Sequence, residues 1–120
     1  KYFLNTSALN LNYKKGKLEG LRTVYFPKGK VAEQINYVNN QKQGAYKKYT
    51  ENGVLIEESF YKNNEYNGLA IFRDVNGSLV SKGMFTDGMK TGIWDVLENG
   101  KIVQKNSDDL APKAKKVKKN

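Results

Sequence analysis

Short runs of apolar and β-branched residues, each bounded by turn residues, succeed one another along most of the chain. Residues 21–26, 31–37, 54–61 and 79–85 are of strand length and lie between turn signals, and no window carries a helical stripe. The runs return at a fixed interval. Tyr13, Tyr37, Tyr61 and Phe85 are each followed seven residues later by Gly20, Gly44, Gly68 and Gly92, and both columns step by 24 residues. A third column, Gly29, Gly53, Gly77 and Gly100, keeps that step until its last member, which arrives one residue early. Self-similarity at such a period marks a repeat architecture.

Each unit contains two turn signals and therefore two strands. Lys28-Gly29, Asn52-Gly53, Asn76-Gly77 and Asn99-Gly100 form one set, and Asn-Gly favours a hairpin whose two central residues both take positive φ. Gly16, Asn40, Asn64 and Gly88 mark the other, all of them residues that tolerate the left-handed conformation. The expected fold is all-β: an elongated antiparallel meander of about nine strands, built from four hairpin units at 12–35, 36–59, 60–83 and 84–105. Residues 1–11 lack the glycine columns, but Leu9 and Leu11 alternate into Tyr13, so this segment is expected to add an incomplete cap strand. From Asn106 the pattern stops, and a Lys-rich, Pro-containing tail is expected to be mobile.

A turn centred on Asn64 and Glu65 would pair Tyr61 with Gly68, and by repetition Tyr13 with Gly20, Tyr37 with Gly44 and Phe85 with Gly92. Each ring would then cover a bare glycine on the next strand. The same register places Lys48 between Glu33 and Glu57, which makes those carboxylates structural.

Composition narrows the chemistry. Eight Tyr, five Phe and one Trp are too many for a disordered polymer, and no apolar run approaches the roughly 20 residues of a membrane-spanning helix. There is no Cys, so disulfides, thiolate catalysis and zinc-thiolate sites are excluded. With no His the commonest general base and metal ligand are missing too. The net charge is +9, and Lys113, Lys115, Lys116, Lys118 and Lys119 concentrate part of it in the tail. Such a charge attracts nucleic acid, anionic lipid or acidic protein without specifying which. The chain begins at Lys1, from which we expect a processed or trimmed product of the bacterial cell envelope or secreted fraction, with the cytoplasm as the alternative.

The units resemble a known repeat. Tyr-x-x-Asn/Gly-x-x-x-Gly, followed two residues on by Tyr or Trp as in Gly44-Ala45-Tyr46 and Gly92-Ile93-Trp94, then Asn-Gly and an apolar strand, is similar to the MORN repeat, in particular its bacterial variant. Arg22 and Ala70 depart from the aromatic column, Asn replaces Gly at positions 40 and 64, and the last unit is one residue short. The resemblance, which spans residues 12–105, implies an interaction scaffold. Members are linked with protein assembly, with attachment to anionic phospholipid and, in bacteria, with an antitoxin role. Plant phosphatidylinositol-phosphate kinases carry similar repeats beside a kinase domain.

No catalytic constellation accompanies the repeats. Arg73-Asp74 is not followed by a kinase catalytic-loop pattern, and Gly16-Lys17 lacks the rest of a phosphate-binding loop. Asp74-x-Asn76-Gly77 lacks the distal ligands of a calcium loop and is explained as a turn. Glu33 and Glu57 would lie two strands apart with Lys48 between them, and that lysine would lower both pKa values, the wrong direction for a general acid. Lysines interleaved with rings suit single-stranded nucleic acid, but charges of both signs share the strands and sheet packing explains the rings. The expectation is a non-catalytic scaffold without metal or cofactor that binds a protein. Tyr25, Tyr46, Tyr49, Tyr66, Phe72 and Trp94 are the candidate contacts, and edge strands offer self-association. The alternative is peripheral binding to anionic membrane through the five tail lysines.

Overall fold

A computed structural model describes residues 5–7 and 11–110 of the chain, with side chains described from Lys14 onward. The chain forms one antiparallel sheet from β1 (Asn5–Ser7), β2 (Leu11–Lys14), β3 (Lys17–Tyr25), β4 (Val31–Val38), β5 (Gln41–Tyr49), β6 (Leu55–Lys62), β7 (Glu65–Tyr66), β8 (Gly68–Arg73), β9 (Leu79–Thr86), β10 (Met89–Glu98) and β11 (Lys101–Asn106). β1 and β2 both pair with β3, and β7 and β8 both pair with β6, so the strands occupy nine positions of a meander. The molecule is elongated, 44 × 34 × 24 Å.

The two sets of turns differ in backbone. Lys15-Gly16, Asn39-Asn40, Asn63-Asn64 and Asp87-Gly88 each place two consecutive residues at positive φ. These are the two-residue hairpins whose twist matches that of the strands. At Gly29, Gly53 and Gly77 only the glycine has positive φ, and its N–H donates to the carbonyl three residues back, on Phe26, Thr50 and Asp74. Each is a right-handed turn closed by a left-handed glycine, and the register shifts by one residue beside it, between Val24 and Tyr25, Lys48 and Tyr49, and Phe72 and Arg73. The expected pair of positive φ values thus fails at Asn52-Gly53 and Asn76-Gly77. It holds at Asn99-Gly100, with φ of 51° and 80°. There β10 and β11 pair without a shift from Ile93–Asn106 to Glu98–Lys101. The missing residue of the last unit is the bulge residue that this tighter hairpin does without. At the third of these turns the Asp74 carboxylate accepts N–H bonds from Asn76 (2.9 Å) and Ser78 (3.0 Å), a task that accounts for it without any cation.

The ring-over-glycine register is corrected. Because the turn is Asn63-Asn64, one residue earlier than the expected centre, Tyr61 pairs with Tyr66 across it, and with Gly44 on the preceding strand. Gly20 likewise faces Tyr37, and Gly68 faces Phe85. What these glycines share is positive φ: 109° at Gly20, 98° at Gly44, 116° at Gly68 and 72° at Gly92. At Gly44 and Gly92 three residues stand opposite one on the neighbouring strand, between Ile35–Tyr46 and Tyr37–Lys42, and between Lys82–Asp95 and Met84–Thr91. A wide bulge of this kind frees carbonyls. Asn36 Nδ2 donates to the Gln43 carbonyl at 3.2 Å, and Trp94 Nε1 donates to the Met84 carbonyl at 3.2 Å.

Asparagine at positions 40 and 64 has a structural reason. Asn40 Oδ1 accepts from Leu18 N at 2.7 Å and Asn64 Oδ1 from Lys42 N at 2.8 Å, while their own N–H groups donate to the Leu18 and Lys42 carbonyls. Each tip is tied to the preceding hairpin, and Gly88 keeps only the backbone half of the arrangement, donating to Tyr66 O. Asn64→Ala is expected to lower stability by about 2 kcal/mol, from a lost hydrogen bond and an alanine forced left-handed. Asn64→Gly, which relaxes the backbone, should cost less in the same urea titration, and equal losses would remove backbone conformation from the explanation.

Past Asn106 the chain does not leave the sheet at once. Ser107–Leu110 makes a turn of 3-10 helix, and Leu110 packs against the cluster of Ala70, Phe85 and Trp94. The order thus extends beyond the point where the tail was expected to begin, because Leu110 finds an apolar surface there.

Candidate functional site

Strand alternation sorts the side chains onto two faces. One gathers most of the aromatic rings. Tyr46 meets Tyr61 edge-on at 5.7 Å between centroids, Tyr61 lies 4.8 Å from Tyr66, Tyr66 stacks on Phe85 at 4.5 Å and Phe85 meets Trp94 edge-on at 5.1 Å. Phe72 joins edge-on to Tyr66 at 6.4 Å. The row crosses the strands from β5 to β10.

Small residues form its floor. Ser59, Ala70 and Gly83 are buried, and a Cβ on Gly83 would fall inside the Trp94 indole. Ala70 departs from the aromatic column because the Phe85 and Trp94 rings fill the space above it. Trp94 itself is 0% exposed, so it packs internally. Tyr46, Tyr61, Tyr66 and Phe72 are only half-buried and present ring surface outward.

Two cations sit on this face. Lys42 Nζ stands 5.2 Å from the Tyr61 ring centroid, and Lys90 Nζ 4.8 Å from that of Trp94. The carboxylates lie beside the row. Lys48 pairs with Glu33 on one side and Glu57 on the other, as the sequence register requires. Glu57 Oε2 accepts from Tyr66 Oη at 2.8 Å and Ser59 Oγ at 3.0 Å, and the Glu33 carboxylate stands near the Tyr46 phenol. On the opposite face Glu58 pairs with Arg73 at 2.7 Å.

Burial first, then the Glu33 and Glu57 charges, push the Tyr46 phenol far above its ordinary value. Burial first, then the hydrogen bond to Glu57, does the same at Tyr66. A phenol held neutral in this way is a hydrogen-bond donor and not a base. The folded protein keeps both protons more tightly than the unfolded chain, so their contribution to stability is complete below about pH 10 and is lost as pH rises beyond it. Thermal unfolding between about pH 9 and 11 should therefore fall more steeply for the wild type than for Tyr46→Phe/Tyr66→Phe. Parallel slopes would show that these phenols carry no such linkage.

Of the six candidate contacts, the fold brings together Tyr46, Tyr66 and Phe72, with Trp94 beneath. Tyr25 and Tyr49 fall on the opposite face beside the register shifts and are half-buried. Sequence reasoning missed Lys42 and Lys90, although both stand in the 24-residue column of Tyr66 and could have been placed from it. It also assigned Tyr61 and Phe85 to covering glycine, whereas they are the middle of the row. Lys113, Lys115, Lys116, Lys118 and Lys119 lie outside the described residues.

At the end of the sheet opposite the Asn40 and Asn64 tips, a cleft of about 400 Å³ opens between hairpin loops, lined by Phe26, Thr50, Glu51, Asn52, Val75 and Asn76. Glu51 is the one titratable group in that lining, so it offers no acid-base pair. Among the described residues no three His, Cys, Asp or Glu side chains are placed to hold a metal ion, and no helix is long and apolar enough to cross a membrane.

No curated protein matches the chain. The family model for the MORN repeat variant matches residues 18–39 and 42–63, two successive units beginning near the starts of β3 and β5. Repeats of this family generally bind proteins or membranes, and their all-β repeat fold is generally a non-catalytic scaffold. That match shows two successive repeats of the MORN variant type in this chain, and the same columns carry on beyond them through Phe85 and Gly92.

Proposed function

We propose that the chain is a non-catalytic scaffold that holds a protein partner on its aromatic face. The observation that carries this reading is the row of half-buried rings, Tyr46, Tyr61, Tyr66 and Phe72, set on a rigid floor with Lys42 and Lys90 at its ends. Half-exposed rings offer large contact area at a small cost in conformational entropy. The ammonium groups over Tyr61 and Trp94 favour a partner that brings carboxylates to those two points. The neutral phenols, the hydroxyl-bound Glu57 and the Glu33 beside Tyr46 leave the face with donors and fixed charges, a recognition surface without a proton shuttle.

The test uses affinity capture from the source cell, followed by binding measured with the purified partner. Wild type is compared with Lys42→Glu/Tyr46→Ala, first shown by circular dichroism to remain folded. Loss of one saturable partner, with affinity down at least about tenfold, is the expected result. An unchanged partner set would clear this face. Salt-sensitive binding to anionic vesicles without protein capture would favour the membrane alternative, and turnover of ATP, lipid or glycan by the purified chain would overturn the scaffold reading.

A further inference from the structure

The face opposite the aromatic row is apolar over its second half. Phe60, Leu69, Met84 and Ile93 are 46%, 38%, 48% and 57% exposed, and they come from the four neighbouring strands β6, β8, β9 and β10. Leu69 pairs directly with Met84, and the Phe60 ring lies against Gly68. Met89 at 65% extends the patch towards the hairpin tip.

The repeat supplies an internal control. The position of Phe60 and Met84 is Asn36 one unit earlier, and the position of Leu69 and Ile93 is Ala45. The strands form equally well with Asn and Ala there, so strand formation does not require the large apolar residues of units three and four. A sheet with an apolar face is stable when a second layer covers it, and among the described residues no element packs there.

We propose that a second copy of this chain covers this face, giving a face-to-face dimer held by the Phe60–Leu69–Met84–Ile93 patch. The area fits. The five side chains together expose roughly 500 Å², at the upper end of the patches found on monomers, and two such patches with their polar rims reach the roughly 1,200 Å² at which specific interfaces begin. Charge permits it as well. Beside the patch runs a row in which Lys47 pairs with Glu58 and Lys82 with Asp95, and Glu58 also binds Arg73. The signs alternate and nearly cancel, so the net +9 of the chain is not concentrated where two copies would meet. Two flat antiparallel sheets stack about 10 Å apart with their strands nearly aligned, and a two-fold axis makes one patch its own complement.

The proposal is independent of the partner assigned to the aromatic face. Sedimentation velocity of the full chain over about 1 to 200 μM should show a monomer–dimer equilibrium with a micromolar dissociation constant. Met84→Lys/Ile93→Lys, at exposed positions, should remain folded and weaken dimerisation by at least about tenfold. Gln104→Pro, at a position whose N–H points away from β10 because the neighbouring Val96–Val103 pair is the hydrogen-bonded one, blocks pairing along the free edge of β11 and should leave the dimer intact. A wild type that stays monomeric throughout overturns the proposal. So does a dimer lost in Gln104→Pro but kept in the lysine variant, which would place self-association at the edge. A monomer that instead captures a different protein through this face, with capture lost in Met84→Lys/Ile93→Lys, assigns another occupant and also overturns it.

Discussion

Trp94→Ala is expected to lower the unfolding free energy by about 3 to 5 kcal/mol, the range for truncating a fully buried aromatic side chain. Trp94 is 0% exposed, lies against Phe85, donates its indole N–H to the Met84 carbonyl and rests on Gly83. Its removal opens a cavity and strips the bulge carbonyl of a donor at once. The reciprocal change tests the same contact from beneath. Gly83→Val should cost at least about 2 to 3 kcal/mol, because a Cβ there would lie inside the indole and the floor is backbone that cannot retreat. Combined, the two substitutions should be far from additive, the valine filling part of the space the indole leaves. Urea unfolding of the four proteins closes the cycle, and strict additivity would mean that Trp94 and Gly83 do not share the space assigned to them.

Tyr66→Ala is expected to be the next most damaging change, at about 3 kcal/mol, with Tyr66→Phe costing about 1. Tyr66 is the junction of the row, in contact with Tyr61, Phe72 and Phe85, and its hydroxyl donates to Glu57. Phenylalanine keeps the stacking and loses the hydrogen bond, while Ser59 still serves Glu57. Alanine loses both and separates the Tyr46–Tyr61 end of the row from the Phe85–Trp94 end. If the two variants melt together, the ring contributes only through its hydroxyl. If both are neutral, the aromatic row is a surface ornament of the sheet and the proposed binding platform lacks its rigid support.

The period of 24 residues was enough to establish a meander of hairpins, since alternation and turn residues are local properties that act within a few positions. The pairing of Lys48 with Glu57 was also legible, because it is counted directly from the Asn52-Gly53 turn. The pairing with Glu33 agrees with the sequence register only because the bulge at Gly44 shifts the strands by the two residues that the misplaced turn centre had left out. Other features were not. A one-residue error in the centre of the Asn63-Asn64 turn moved the partner of Tyr61 across that turn from Tyr66 to Gly68, because register passes from a turn to the pairs beyond it until a bulge resets it. The glycine columns could be seen in the sequence, but not that they serve positive φ at bulges, since a missing side chain and a left-handed backbone leave the same letter. Which rings are buried depended on the row that only assembly across β5 to β10 creates: Trp94 sits inside over a glycine 11 residues away, while Tyr46 remains half-open. The sequence by itself thus determined the repeat, the strands and the absence of His and Cys chemistry. The tertiary structure decided which face carries the rings and which is left apolar and uncovered, because a face is defined by neighbours on other strands and not by any stretch of chain alone.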